Sequence, residues 1–459
     1  MSHVGVIDIG KTNAKVAVVD SKNLSEIAVR TRPNAVLSGA PYPHFDIEGI
    51  WAFIKAALGE LNDQFPLSAI SITTHGATAA LVDADGALTL PVLDYEFDGP
   101  DTTRSAYDAI APAFAHSLTP RLPLGLNLGA QLFFQKENWP DAFERTSAIL
   151  TYPQYWAFRL TGVLASELTS LGCHTGLWDF GAGDYSALVD RLGIRGKLPP
   201  LRSAFDELGP ITPEFADQTG LSPKVPVYCG IHDSNASLLP HILAAPLPFA
   251  VVSTGTWVIV CAPGGSVSGL DESRDCLANI DALGRTVPSA RFMGGREFSM
   301  LTAGEDRNPG AETVRTVLAE KILLLPSVVQ GSGPFPDRIA QWTVPSNTLD
   351  SDTRYVVVSY YLAMMTAQCL ERTSALGPVI VEGPFARSTH FLDMLQACVG
   401  RPIVANAKNA TGTSVGAALL TMGTATPPAL DYSARKVPER IDAMVRYASA
   451  WRMAIANQT

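Results

Sequence analysis

Two stretches of this chain repeat one backbone device, and that device narrows the choice of fold more than any other feature. Val4-Gly5-Val6-Ile7 reads as a strand, Asp8-Ile9-Gly10-Lys11-Thr12-Asn13 as a tight turn, and Ala14 to Val19 as the returning strand. In the second half Phe249 to Ser253 is apolar, Thr254-Gly255-Thr256 is a turn, and Trp257 to Cys261 is apolar again. Each half thus opens as strand, glycine–threonine turn, strand. The likeness is one of pattern and not of letters. At 459 residues the chain exceeds what one hydrophobic core serves, about 250–300 residues, so two domains are expected. Ala and Pro replace periodic structure near Leu243 to Pro248, which puts the domains at 1–243 and 244–459.

Strand-length apolar runs alternate with helix-period ones, which indicates α/β layers. Ile50 to Gln64 places Ile54, Ala57, Leu58 and Leu61 on one helical face. Ala69 to Thr73 is a short strand ending at His75-Gly76, and Ala79 to Val82 and Leu88 to Leu93 read as strands around the Asp85-Gly86 turn. Pro112 to Pro226 is broken by prolines and turns. Only Tyr155 to Leu160, closed by Thr161-Gly162, stands out there as a helix end. Val225 to Tyr228 is a strand leading to Gly230-Ile231-His232-Asp233. Tyr355 to Leu376 lacks Gly and Pro and is predicted as a long helix. Val379 to Val381 is a buried strand ending at Glu382-Gly383-Pro384, with helices over Phe391–Val399 and Val415–Met422 beyond it.

The net charge of −10 argues against nucleic acid or an anionic membrane surface as partner, while leaving an anionic small molecule open. None of Cys173, Cys229, Cys261, Cys276, Cys369 and Cys398 forms a CxxC pair, so buried free thiols are expected. The first apolar run is interrupted by Asp8, and Val356 to Met365 is too short for a bilayer core of ~30 Å. A cytoplasmic protein is the expectation.

Several motifs can carry chemistry. Glycine in a tight hairpin lets backbone N–H groups approach phosphate oxygens without a Cβ in the way. Gly10, Lys11, Thr12 and Asn13 are therefore candidate phosphate ligands, with Asp8 a candidate Mg²⁺ ligand through water. An ordinary hairpin turn is the competing account. Thr254, Gly255 and Thr256 offer the same chemistry, and two such hairpins can grip one triphosphate from opposite sides. Trp257 reads as a core residue more readily than as a base-stacking one. Asp233, following a strand, is placed either to accept a proton from a substrate hydroxyl or to cap a helix. Gly383 would let a nucleotide lie close to the backbone, or simply serve a strand-to-helix turn. His75, Gly76, Asp94 and Glu96 lie at or beyond strand ends, where α/β proteins collect ligands. GxxxxGK[ST], GxSxG and HExxH are all absent from the sequence, which removes three other chemistries.

In this order, from Gly5 to about Gly423, the motifs resemble the FGGY carbohydrate kinase family. Asp8-Ile9-Gly10-Lys11-Thr12 is similar to its first phosphate hairpin and Ser253-Thr254-Gly255-Thr256-Trp257 to its second. Gly383 lies where the family has its adenosine-motif glycines, and Asp233 aligns with the catalytic base. Tyr155-Trp156-Ala157-Phe158-Arg159-Leu160-Thr161-Gly162 and Gly412-Thr413-Ser414-Val415-Gly416-Ala417-Ala418 resemble two non-catalytic family segments. The context of His232-Asp233 and the run Glu167-Leu168-Thr169-Ser170 look nearest to the rhamnulokinase and fuculokinase branches. Three places depart from the pattern. Lys11 stands where a small or hydroxyl residue is usual, Leu93-Asp94-Tyr95-Glu96 replaces a Trp-containing sugar strand, and Glu382 and Pro384 flank Gly383.

The resemblance implies an α/β fold of two ribonuclease-H-like lobes, of actin and hexokinase type, with an interlobe cleft. It implies ATP and Mg²⁺ as cofactors and a small sugar as partner, with no nucleic acid and no membrane. A homodimer is left open. Phosphoryl transfer to a primary hydroxyl of a ketose or polyol is expected, with L-rhamnulose or L-fuculose as the first choice. Asp233 would be the base, and His75, Gly76, Asp94, Glu96 and His232 would hold the sugar. The rival readings are an actin-fold phosphohydrolase or acyl-phosphate kinase, and a catalytically silent sugar sensor.

Overall fold

The first hairpin stands at the centre of a sheet in the computed structural model, which describes residues 3–406, 412–425, 427 and 432–458. β1 (His3–Ile9) pairs antiparallel with β2 (Asn13–Asp20), and β2 with β3 (Ser25–Pro33). After α1 (Ile47–Gln64) the chain returns as β4 (Leu67–Thr74), parallel to β1. β1 and β4 are buried on both faces, which is why they read as continuous apolar runs and not as alternation. The Asp46 carboxylate starts α1 by accepting the Gly49 N–H at 3.0 Å, and Ile50, Ile54, Leu58 and Leu61 turn its apolar stripe into the core.

Beyond β4 come α2 (Leu128–Asn138) and α3 (Tyr152–Thr161), then β5 (Glu207–Pro210), β6 (Pro226–Tyr228), β7 (Ile231–His232) and α4 (Asp233–Ala244). The sheet order is β5-β6-β4-β1-β2-β3, and β7 pairs with β4 at Thr73 and Thr74. Gly162, at φ 75°, ends α3 in the left-handed conformation that glycine adopts without a Cβ penalty.

The second sheet repeats this plan. β8 (Ala250–Thr254) and β9 (Val258–Cys261) form the second hairpin, followed by β10 (Cys276–Ile280), β11 (Thr286–Phe292) and α5 (Gly294–Thr302). The long α6 (Ser351–Arg372) leads into β12 (Val379–Glu382), then α7 (Thr389–Val399) and β13 (Ile403–Asn406). The order is β10-β11-β9-β8-β12-β13, with β8-β9 and β9-β11 antiparallel and β8-β12-β13 parallel. Each sheet is thus an antiparallel meander continued by parallel strands, with helices between, which is the ribonuclease-H-like arrangement expected from the sequence. α8 (Thr413–Leu419) and α9 (Ile441–Ala456) complete the described elements used below.

The chain forms two compact units that are not two consecutive stretches. One comprises Met1–Ala244, Ala278–Thr286 and Thr411–Leu430, the other Ala245–Leu277, Val287–Ala410 and Asp431–Thr459. All six cysteines are free thiols. Among the described residues, no helix is long and apolar enough to cross a membrane.

Three local readings change. Leu88 to Leu93 is not a strand; it makes single bridges, Leu88 to Val82 and Leu93 to His44, and Pro91 has no N–H to extend a ladder. The long helix lies a turn earlier than predicted, because the Asp350 carboxylate caps it on the Thr353 N–H at 2.7 Å and Ser374 beyond it takes φ 48°. α2 was hidden within the proline-rich region because every residue from Leu128 to Gln135 is buried, so no amphipathic period shows.

Candidate active site

The first hairpin turn is closed by the Gly10 N–H donating to Asn13 O at 2.9 Å, and Asn34 ties it down from outside through Nδ2 to Gly10 O at 2.8 Å. Thr12 and Asn13 are exposed at its tip, 3.2 Å apart side chain to side chain. Lys11 bends away from them. Its Nζ pairs with Asp94 Oδ1 and with Glu96 Oε2 at 3.3 Å, and lies 5.1 and 5.0 Å from the ring centroids of Phe45 and Tyr95. Asp94 is 6% exposed, whereas the Glu96 side chain is 60% exposed. These two acids sit in a turn, the Phe97 N–H donating to Asp94 O at 2.9 Å, and meet through Lys11 without sharing a strand face. Arg104, further along the chain, pairs with Asp108 at 3.7 Å.

His75 follows β4 and lies within ~5 Å of the Phe45, Tyr95 and Tyr152 rings, centroid separations being 5.1, 5.1 and 5.0 Å. Burial pushes its pKa down to about 4, so the ring is neutral at pH 7. Nδ1 faces Gly76 O at 3.0 Å; a carbonyl only accepts, so the ring proton is on Nδ1. Nε2, buried and without a hydrogen-bond partner, is left as an acceptor. That is the state required to receive a substrate O–H.

Asp233 is the first residue of α4, directly after β7. Its Oδ1 accepts the Ser234 N–H at 2.6 Å and lies 3.2 Å from His232 Nε2. A cap would accept from the second or third helical N–H, so this carboxylate does not serve as one. Desolvation, then the charge of Asp8, raises its pKa to about 7. Asp8, on β1, is held through Oδ2 by the Thr413 hydroxyl of α8 and by Lys15 Nζ at 3.3 Å. Both ring nitrogens of His232 face protein groups, Nε2 toward Asp233 and Nδ1 toward Asn235 Nδ2 at 3.3 Å. Asp8, Lys11, His75, Gly76, Asp94, His232 and Asp233 thus all belong to the first unit.

The second unit holds Thr254, Gly255, Thr256 and Gly383. Thr254 Oγ1 donates to Glu382 O at 2.5 Å and accepts the Phe385 N–H at 3.1 Å, locking the hairpin to the end of β12. Gly383 has φ 80°, and a Cβ there would stand 2.0 Å from Thr254 O. Gly295, at the start of α5, packs as closely: its Cβ would stand 1.9 Å from Gly255 O. The hairpin glycines themselves differ. Neither Gly10 nor Gly255 has a positive φ, and a Cβ on Gly255 would meet nothing nearer than 3.9 Å. The chain's own packing would therefore admit a Cβ at Gly255. Thr254, Gly255 and Thr256 line a cavity of about 590 Å³ with Arg296, Tyr355 and Arg387. Trp257 stands outside this lining and is covered by Arg291, whose guanidinium lies 4.6 Å from the ring centroid.

Sequence reasoning missed Lys15, Ser234, Asn235 and Thr413 in the first unit, and Gly295, Arg296, Tyr355 and Arg387 in the second. A usable signal existed for one group: Gly294-Gly295-Arg296, directly after a strand, repeats the glycine punctuation of the hairpins.

The chain is similar along its whole length to a solved carbohydrate kinase from Novosphingobium aromaticivorans, at 33% identity, covering 100% of this chain and 99% of that one, with a TM-score of 0.92. It is 25% identical over 270 residues to the L-fuculokinase of Salmonella typhi, covering 57% of each chain. A probable L-xylulose kinase of Pasteurella multocida is 26% identical over 276 residues, 55% of this chain and 54% of that one. The chain thus spans little more than half the length of the curated relatives it matches. Residues 3–240 match the N-terminal domain of the FGGY family of carbohydrate kinases, and residues 246–429 match the carbohydrate kinase FGGY C-terminal domain. The hairpins, the acid after β7 and these two matches agree: the chain belongs to the FGGY family of carbohydrate kinases.

Proposed function

We propose that this chain is an ATP-dependent sugar kinase that transfers the γ-phosphoryl group to a primary hydroxyl of a ketose or related polyol. The observation that carries the reading is Asp233, a carboxylate at a strand end raised to about 7, in the same unit as an acceptor-ready His75 and the buried Asp94. A base with that pKa is half ionised at neutral pH and can still bind the proton it takes. His75 Nε2 accepts one sugar hydroxyl, and Asp94 and Glu96, held by Lys11, accept others. The second unit supplies the nucleotide side: the Thr254-Gly255-Thr256 turn for phosphate oxygens, and Gly383 for close passage of the nucleoside. Gly10, Thr12 and Asn13 make the corresponding exposed turn in the first unit.

Asp8 offers the hard carboxylate oxygen that Mg²⁺ prefers, so the residues present fit that ion. Among the described residues no group of three or more His, Cys, Asp or Glu could hold a metal ion, so Mg²⁺ at Asp8 would draw its other ligands from water and phosphate. When bound it supplies charge neutralisation to the phosphates.

L-Fuculose and L-rhamnulose lead the candidate acceptors, with L-xylulose added by the relatives. The test is sugar-stimulated ADP release by wild type and Asp233→Asn over ketoses, aldoses and polyols. Loss of roughly 10²–10⁴-fold in kcat with ATP binding retained is expected. A folded Asp233→Asn that turns over like wild type removes the assignment.

A further inference from the structure

Asp233 has two carboxylate oxygens, and the protein treats them differently. Oδ1 lies 2.6 Å from the Ser234 nitrogen and 3.2 Å from His232 Nε2, with Ser234 Oγ farther off at 3.4 Å. His232 is 4% exposed, and burial holds its pKa at about 4, so the ring carries a single proton at pH 7. Asn235 Nδ2 is a donor and lies 3.3 Å from Nδ1, which makes Nδ1 the acceptor. The proton is then on Nε2, facing Oδ1.

The imidazole is itself held in place. The His232 N–H donates to Thr169 Oγ1 at 3.1 Å, and Thr169 Oγ1 donates to the buried Glu167 Oε2 at 2.6 Å. Gly76 packs closely against the ring: a Cβ there would stand 2.8 Å from His232 Nε2 and 3.0 Å from Cδ2. Real Cβ atoms do not approach that closely, so the absent side chain is what makes room for the ring.

We propose that His232 is a positioning residue for Asp233: its Nε2–H and the Ser234 N–H anchor Oδ1, leaving Oδ2 as the oxygen that takes the substrate proton. This rests on the reading of Asp233 as general base. In the step it serves, the acceptor O–H bond breaks and its proton passes to Oδ2. The oxygen's electron pair forms the new O–P bond, and the bond to the leaving ADP oxygen breaks. The imidazole neither gains nor loses a proton. It fixes the rotamer of the base, and a misplacement of about 1 Å in such a group costs on the order of 10²-fold in rate. Glu167, Thr169, Asn235 and Gly76 act one shell further out, each through His232.

The experiment compares crystal structures and steady-state kinetics of wild type, His232→Ala, His232→Gln and Gly76→Ala, using MgATP with L-fuculose and L-xylulose as probes. The Asp233 carboxylate should change rotamer in His232→Ala and keep it in His232→Gln, whose Nε2 amide replaces the ring donor. Gly76→Ala should displace the ring and the carboxylate together. kcat should fall about 10²-fold in His232→Ala and recover largely in His232→Gln, with sugar KM nearly unchanged. An unmoved Asp233 in a folded His232→Ala overturns the proposal, whatever sugar is turned over. If His232→Ala does not fold, an unmoved carboxylate in Gly76→Ala, with the ring displaced, does the same. A raised sugar KM at unchanged kcat also overturns it, by making His232 a sugar ligand. Asp233→Asn is the control beneath: wild-type turnover there removes the base reading and leaves the rotamer result to stand by itself.

Discussion

Lys11→Met separates two roles for the residue that departs most visibly from its family's pattern. Methionine keeps the apolar stem and removes the ammonium. What remains is Asp94, with a side chain 9% exposed, without its cation. Breaking a fully buried ion pair costs about 3–5 kcal/mol, because the surviving charge stays desolvated. The Lys11 side chain is 17% exposed and Asp94 keeps the Glu96 N–H at 3.2 Å, so water and that bond recover part of the loss. Glu96, 60% exposed, adds no more than about 1 kcal/mol. The expected destabilisation is about 2–4 kcal/mol, a fall of about 4–16 °C in the Tm of the first unit. Asp94→Asn alone should cost less, because the freed ammonium can turn to Glu96. The double variant should recover most of the Lys11→Met loss, and calorimetry on the four proteins measures that coupling. Losses that simply add, or a Lys11→Met protein within about 0.5 kcal/mol of wild type, would refute the argument. Function should divide in the same way: sugar kcat/KM falls, while ATP affinity, read by equilibrium titration, changes little. A selective loss of ATP affinity would return Lys11 to the phosphate role read from the sequence.

Three further outcomes follow. kcat/KM for sugar should rise about tenfold per pH unit and level near pH 7, as Asp233 ionises among Asp8 on β1, its partner Lys15 on β2, Tyr95 and the neutral His232 and His75; a profile flat from about pH 5 to 8 would refute it. The same raised pKa has a stability consequence of defined sign: the folded state binds the extra proton, so this contribution declines as pH climbs from ~3.9 to about 7. Gly383→Ala should destabilise the second unit by about 2–4 kcal/mol and weaken ATP binding, since φ is 80° and the Cβ would meet backbone oxygen of Thr254 at 2.0 Å; an unchanged Tm and ATP affinity would refute it.

Much of this architecture was legible because hairpins, capped helices and buried parallel strands are local events. Gly10 and Gly255 mark turns by their own chemistry, and Ile54, Leu58 and Leu61 mark a helix by spacing alone. What was not legible depends on contacts between distant parts of the chain. No local rule tells that Lys11 will pair with Asp94, because that contact, and the Phe45 and Tyr95 rings about 5 Å from its ammonium, come from distant parts of the chain. Thr413 sits in a segment noticed only as a likeness. Its hydroxyl reaches Asp8, more than 400 positions earlier, because Gly416 lets α8 lie against α4, where a Cβ would stand 1.7 Å from Ala236 O.

His232 gives the sharpest case. From the sequence it was one more polar residue beside an acid, and a sugar ligand was a fair expectation. Burial and the two neighbours at its ring nitrogens change its chemistry: a neutral imidazole with both nitrogens engaged has nothing left to offer a hydroxyl. His75, a few ångströms of backbone from Gly76, is equally buried and equally neutral, yet only its Nδ1 is engaged. On the reading proposed above the two histidines divide the work: the one with a free acceptor receives substrate, and the one without orients its neighbour. That distinction rests on which nitrogen meets which partner, and it exists only after β7 has paired His232 with Thr74, the residue before His75.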